Sequence, residues 1–131
     1  MYRPEMSLHY KEEQAIRRLL NRASTRKAIP NLEDVERIRF GHGVVEVRVT
    51  LSGRLWSGDD FTPECEAAFS AMEALITRKI DLSAYQPGQP VVRVLMSREF
   101  EKRLRRQYTA EMRRIAAARE EMRFAAAQGA A

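Results

Sequence analysis

The chain has 131 residues, 44 % of them hydrophobic and 31 % charged, with a formal net charge of +5 and one cysteine. That length suits one hydrophobic core rather than two, and the apolar content excludes wholesale disorder. No run approaches the ~18 apolar residues of a membrane span, and a lone cysteine excludes an intramolecular disulfide.

The N-terminus carries charges where a signal peptide would have its apolar stretch, so a single soluble, cytoplasmic domain over residues 1–131 is expected. Arginine outnumbers lysine 19 to 4, a bias that reflects base composition more than function. The placement of charge is more informative. Residues 1–28 carry seven basic and three acidic side chains, residues 97–131 nine and five, and the centre seven and ten. Basic ends around a mildly acidic middle suit an anionic partner, or internal neutralisation.

Ser7 is placed to cap a first helix running to about Lys27. Its apolar positions Leu8, Ile16, Leu19, Leu20 and Ala23 fall within an arc of about 120°. Arg17, Arg18 and Arg22 face away from that stripe. Residues 28–34, with Pro30 and Asn31, read as a loop. Val35–Phe40 reads as a strand, Gly41-His42-Gly43 as a turn, and Val44–Leu51 as an alternating, half-buried strand. After Ser52-Gly53, Arg54–Gly58 reads as a third strand that completes an antiparallel meander.

Thr62 before Pro63 is a helix start, with Asp59, Asp60, Glu64 and Glu66 at the positive end of the dipole. The helix runs to about Lys79. Cys65, Phe69, Met72, Leu75 and Ile76 form one face, while Ala67, Ala71 and Ala74 make the other small enough to pack as well. Residues 81–90 read as a loop, and Val91–Met96 as a fourth strand buried on both faces. Ser97 then caps a last helix over residues 97–124, whose length of roughly 42 Å exceeds the ~13 Å gyration radius of a 100-residue body. That helix is expected to project or to pack on a partner.

In this last helix Phe100, Leu104, Tyr108, Met112, Ile115, Ala118 and Met122 lie within about 120°, and Lys102, Arg106 and Arg113 lie opposite. A basic ridge of this kind supplies sequence-independent phosphate affinity. The competing reading is a solvated face whose charges pair with Glu99, Glu101 and the acidic centre. Arg17, Arg18 and Arg22 of the first helix form a second such set. Trp56, Leu104, Tyr108, Met112 and Ile115 are the candidate anchors for a partner chain.

His9 and His42 are not in metal-ligand spacing, and the acidic residues near Thr62 are accounted for by the helix dipole. Cys65 shares a face with Phe69 and Ile76 and reads as core rather than nucleophile. No phosphate-binding or nucleophile-elbow motif is present. No catalytic residue, cofactor or metal is therefore expected.

The succession helix, three strands, helix over residues 8–79, with the run VVEVRVTLSGRLWSGDDFTPECEAAFSAMEAL, resembles the layout of double-stranded-RNA-binding domains. That family presents lysines at the start of its second helix, where this chain has Asp59, Asp60, Glu64 and Glu66. The resemblance therefore implies a fold and no site residues.

The expectation is an α+β protein of order α-β-β-β-α-β-α, with a mostly antiparallel sheet of three or four strands and a long C-terminal helix. Functionally it points to a non-enzymatic accessory protein, of a kind common on phages and plasmids, that binds nucleic acid or a nucleoprotein machine through Arg17, Arg18, Arg22, Lys102, Arg106 and Arg113. The alternative is a structural or adaptor subunit that oligomerises through the long helix.

Overall fold

The computed structural model describes residues 4–82 and 90–129, with side chains from residue 10 onward. The chain divides into two compact units, Met1–Ser97 and Arg98–Ala131. In chain order the elements are α1 (Pro4–Asn21), α2 (Ala23–Ala28), β1 (Leu32–Gly41), β2 (Val44–Leu51), β3 (Trp56–Ser57), β4 (Asp60–Phe61), α3 (Pro63–Lys79), β5 (Val91–Met96) and α4 (Arg98–Gly129). Most of the loop read over residues 81–90, namely residues 83–89, lies outside the described residues, as do the side chains of Leu8 and His9.

The first helix opens at Pro4 rather than at a Ser7 cap. Proline suits a first helical position because it needs no N–H partner there and its φ is already set. The continuous helix expected to Lys27 is broken at Arg22, whose ψ of 146° is extended. The Leu19 carbonyl left open at the break accepts from Arg22 N at 3.3 Å and from the buried Thr25 hydroxyl at 2.7 Å. Thr25 thus buries a satisfied hydroxyl and seats the short α2.

The main sheet has three strands in the order β1-β2-β5 and is mixed: β1 runs antiparallel to β2, and β5 runs parallel to it. This corrects the mostly antiparallel sheet and the meander expected from sequence. Residues 54–58 leave the sheet after Gly53, whose φ is +92°. Trp56 and Ser57 then pair with Phe61 and Asp60 as a separate two-stranded hairpin. The place beside β2 goes to β5, which arrives through α3, the kind of crossover a parallel pair requires. The layout of a double-stranded-RNA-binding domain is not realised.

One face of the sheet is buried. Val45, Val47, Val49 and Leu51 of β2 lie between Val92, Val94 and Met96 of β5 and Leu32, Val35 and Ile38 of β1. α1 packs on β1, α3 packs on β5, and the two helices touch each other. They contribute Ile16, Leu19 and Leu20 from α1, and Cys65, Phe69, Met72 and Ile76 from α3. The expectation that β5 is buried on both faces is corrected by its alternation, with Val91 56 % exposed. The alanine side of α3 is likewise open, with Ala67, Ala71 and Ala74 all exposed. Small residues there reflect helix propensity rather than a second packing surface.

The outer strands are closed by side chains. Glu73 of α3 accepts from the Val94 N–H at 3.2 Å. Arg48 holds Glu46 at 2.8 Å and donates to the Met96 carbonyl at 2.9 Å, tying β2 to the end of β5. Among the described residues no helix is long and apolar enough to cross a membrane.

Candidate nucleic-acid interface

α4 spans 32 residues, roughly 48 Å at 1.5 Å per residue. Glu99 and Glu101 occupy its first turn, where the dipole favours carboxylates. It continues past Phe124, because Ala125, Ala126 and Ala127 are strong helix formers. None of its residues is buried, and every residue from Glu111 to Gly129 is exposed.

Lys102, Arg106 and Arg113 are all exposed on one side of α4. The ion pair described in this helix joins Arg105 to Glu101 at 3.3 Å, and Arg103 sits over the Phe100 ring at 5.1 Å. Lys102, Arg106 and Arg113 enter none of the ion pairs found among the described residues. Phe124, 65 % exposed, falls on the same side, because the eighteen residues from Arg106 make about five full turns. The helical repeat was the signal that could have identified it in the sequence. Glu120, likewise about five turns beyond Lys102, interrupts the ridge.

The basic residues of α1 are placed differently. Arg17 donates to the carbonyls of Val35 at 2.8 Å and Glu36 at 3.3 Å, and its Nε meets Glu13 at 3.4 Å. Arg26 of α2 donates to the carbonyls of Leu32 and Glu33 and to the Asn21 amide oxygen. Arg18 reaches back to the Gln14 carbonyl at 3.3 Å, and Arg22 is exposed. Arg17 is therefore occupied within the fold, which leaves Arg18 and Arg22 as the solvent-facing members of that set.

The candidate anchors separate as well. Trp56 is only 7 % exposed. Its ring stacks on Phe61 at 4.2 Å, and Phe61 meets Phe69 edge-on at 5.6 Å. A surface anchor at a sheet edge is thus replaced by a core aromatic, because β3 folds back on β4 rather than joining the sheet. Leu104 and Tyr108 are half-buried, whereas Met112 and Ile115 are 41 % and 36 % exposed.

The remaining chemistry-bearing residues have structural placements. Thr62 caps α3 by accepting from Cys65 N at 3.3 Å while donating to the Arg54 carbonyl at 2.9 Å. Asp59, Asp60, Glu64 and Glu66 are exposed around that helix start. Burial, with the nearby Glu66 charge adding to it, pushes the Cys65 thiol up to about 12, and no surface of Cys65 is accessible. A thiol in that state is neither ionised nor reachable. Among the described residues no three His, Cys, Asp or Glu side chains gather as a metal site. An open depression of about 360 Å³ at the β1–β2 turn is lined by Arg39, Phe40, Gly41, His42, Val44 and Glu46. Glu46 there is already paired with Arg48 at 2.8 Å, and Arg39 is its register partner on β1.

In comparisons with known protein families, curated proteins and solved structures, nothing matches this chain.

Proposed function

We propose that the protein is a non-enzymatic binding protein whose α4 grips the phosphates of a nucleic acid, free or within a nucleoprotein, through Lys102, Arg106 and Arg113. The observation that carries this reading is the exposure of these three cations without ion-pair partners among the described residues. Had they paired with Glu99, Glu101 or the acidic centre, the helix would be a self-neutralised solvated face. Unpaired cations on one helix side displace the counterions condensed on a nucleic acid when they neutralise its phosphates, which gives sequence-independent affinity that falls with salt. Phe124 on the same side adds a surface on which an unpaired base can stack.

Arg18 and Arg22 of α1 are secondary contributors in this reading, and Arg17 is a structural residue. The non-enzymatic part rests on the placement of Cys65, whose thiol is buried and neutral, and on the dipole role of the acidic residues around Thr62.

The test is fluorescence anisotropy of labelled single-stranded and duplex DNA and RNA, titrated with the full chain from low to moderate salt. Arg106→Glu with Arg113→Glu should weaken binding by at least about tenfold and flatten the salt dependence, by roughly one unit of slope for each phosphate no longer neutralised. Circular dichroism should be unchanged, since both residues are exposed. Unchanged affinity in a folded double variant would remove α4 from the interface.

A further inference from the structure

The apolar side of α4 is independent of the basic ridge and carries a different inference. Residues 111–129 are all exposed, including Met112 at 41 %, Ile115 at 36 % and Met122 at 72 %. Amphipathic helices draw most of their stability from packing such a stripe. Ile115 and Met122 are seven residues apart, with Ala118 between them and Ala125 beyond, a heptad seam with large residues on one row and alanines on the other. We propose that α4 pairs side by side and antiparallel with α4 of a second copy of this chain, setting Arg114 of each copy against Glu121 of the other.

Charge selects both the occupant and its direction. Arg114 and Glu121 occupy the same flanking position in successive heptads, and Arg119 lies on the other flank. In an antiparallel pair equivalent flanks meet, so Arg114 faces the second copy's Glu121, and the two-fold axis repeats the contact. A parallel pair would bring Arg114 against Arg119 of the second copy, twice, which is repulsive. Segment 111–129 carries four basic and three acidic side chains, so two copies of it repel only weakly.

Volume points the same way. Antiparallel pairing sets Ile115 over the second copy's Ala118 and Met122 over the methylenes of Glu111, while Met112 lies along the stem of Arg119. Large residues thus meet small or slender ones. A parallel pair would set Ile115 on Ile115 and leave an alanine layer underpacked. The seam is short, so the dimer is weak, dissociating on the order of micromolar. Lys102, Arg106 and Arg113 stay on the outer side of each helix, and the pairing does not depend on nucleic-acid binding.

Sedimentation equilibrium of the full chain without nucleic acid tests the proposal. The parent should follow a monomer–dimer equilibrium. Arg114→Glu should weaken it roughly tenfold by turning two attractive contacts into repulsive ones, and adding Glu121→Arg should restore the parent's affinity. Arg114 and Glu121 are too far apart on one helix to pair with each other, so rescue reports a contact between copies. Both sites of substitution are solvated, and circular dichroism verifies that the variants fold. A parent that stays monomeric, an Arg114→Glu variant that associates as tightly or more tightly, or a double variant without rescue would each overturn the antiparallel pair.

Discussion

The guanidinium of Arg17 in α1 donates to the main-chain carbonyl of Val35 at 2.8 Å, on the outer strand β1. Its second amino group reaches the Glu36 carbonyl at 3.3 Å. The ladder between β1 and β2 slips between Leu32 and Asp34 and again between Val35 and Arg37. At each slip one extra residue, Glu33 and then Glu36, bulges out and leaves carbonyls without ladder partners. Arg26 serves the first bulge as Arg17 serves the second. Two arginines from the helical layer therefore satisfy the distorted edge of the sheet, where unpaired groups otherwise recruit another chain.

Arg17→Ala should accordingly destabilise the fold by about 1–3 kcal/mol, the range for a charge-assisted bond and the carbonyls it leaves open. Urea unfolding followed by circular dichroism measures it. Arg17→Lys should recover little, because an ammonium cannot fork across two successive carbonyls. A wild-type midpoint in the alanine variant would mean that water satisfies the bulge equally well.

These bulges also explain why the sequence exposed some elements and concealed others. In β1 the buried residues are Leu32, Val35 and Ile38, spaced by three, because each bulge adds a residue between inward-facing positions. A test for alternation sees no strand in LEDVERI and begins it too late, at Val35. In β2 the unbroken alternation of Val45, Val47, Val49 and Leu51 was plain. Thr62-Pro63 announced α3 because cap and first-turn chemistry are local. The strand order was not legible, since nothing local distinguishes a third meander strand from a short hairpin that yields its place to β5. The basic side of α4 was readable from the helical period alone, but the employment of Arg17 depends on bulges far along the chain. Phe124 stands at the end expected for the last helix, which continues to Gly129 and so carries Phe124 on its basic side.

The β1–β2 turn offers a change in the stabilising direction. His42 has φ +52° and Gly43 φ +75°, the two left-handed residues of a tight hairpin turn whose right twist matches the strands. Histidine bears a steric cost there that asparagine bears less. His42→Asn should raise stability by about 0.5 kcal/mol, while Gly43→Ala should lower it by about 1–2 kcal/mol. Thermal unfolding of both variants, compared with the parent, decides the matter. An equal loss from both would mean that the imidazole makes a contact worth more than the turn preference.

Trp56 supplies a test of the hairpin formed by β3 and β4. With 7 % exposure and Phe61 stacked at 4.2 Å, Trp56→Ala should cost about 3–5 kcal/mol, the range for emptying a buried large aromatic site. The indole emission of the parent should be blue-shifted and should move red in one step with denaturant. A solvent-like emission maximum in the native protein, or a variant as stable as the parent, would return Trp56 to the surface.

Cys65 makes the protein sensitive to alkali in a defined window. Its thiol is raised from 9.0 to about 12 in the folded state, first by burial and then by Glu66. The unfolded chain therefore releases the proton before the native chain does. Stability from this group is fully present below pH 9.0 and falls as pH rises towards about 12, with a slope of about 1.4 kcal/mol per pH unit between the two values. Native protein should react with a thiol reagent only at the rate of its opening, and Cys65→Ala should flatten the decline in urea midpoint above pH 9.0. Because Cys65 lies at the start of α3, where Thr62 Oγ1 accepts from its N–H, Thr62→Ala should accelerate that reaction by loosening the first turn, at a cost of about 1 kcal/mol. Rapid stoichiometric labelling of the folded parent near neutral pH would show that the thiol is reachable, and with it the inward face of α3.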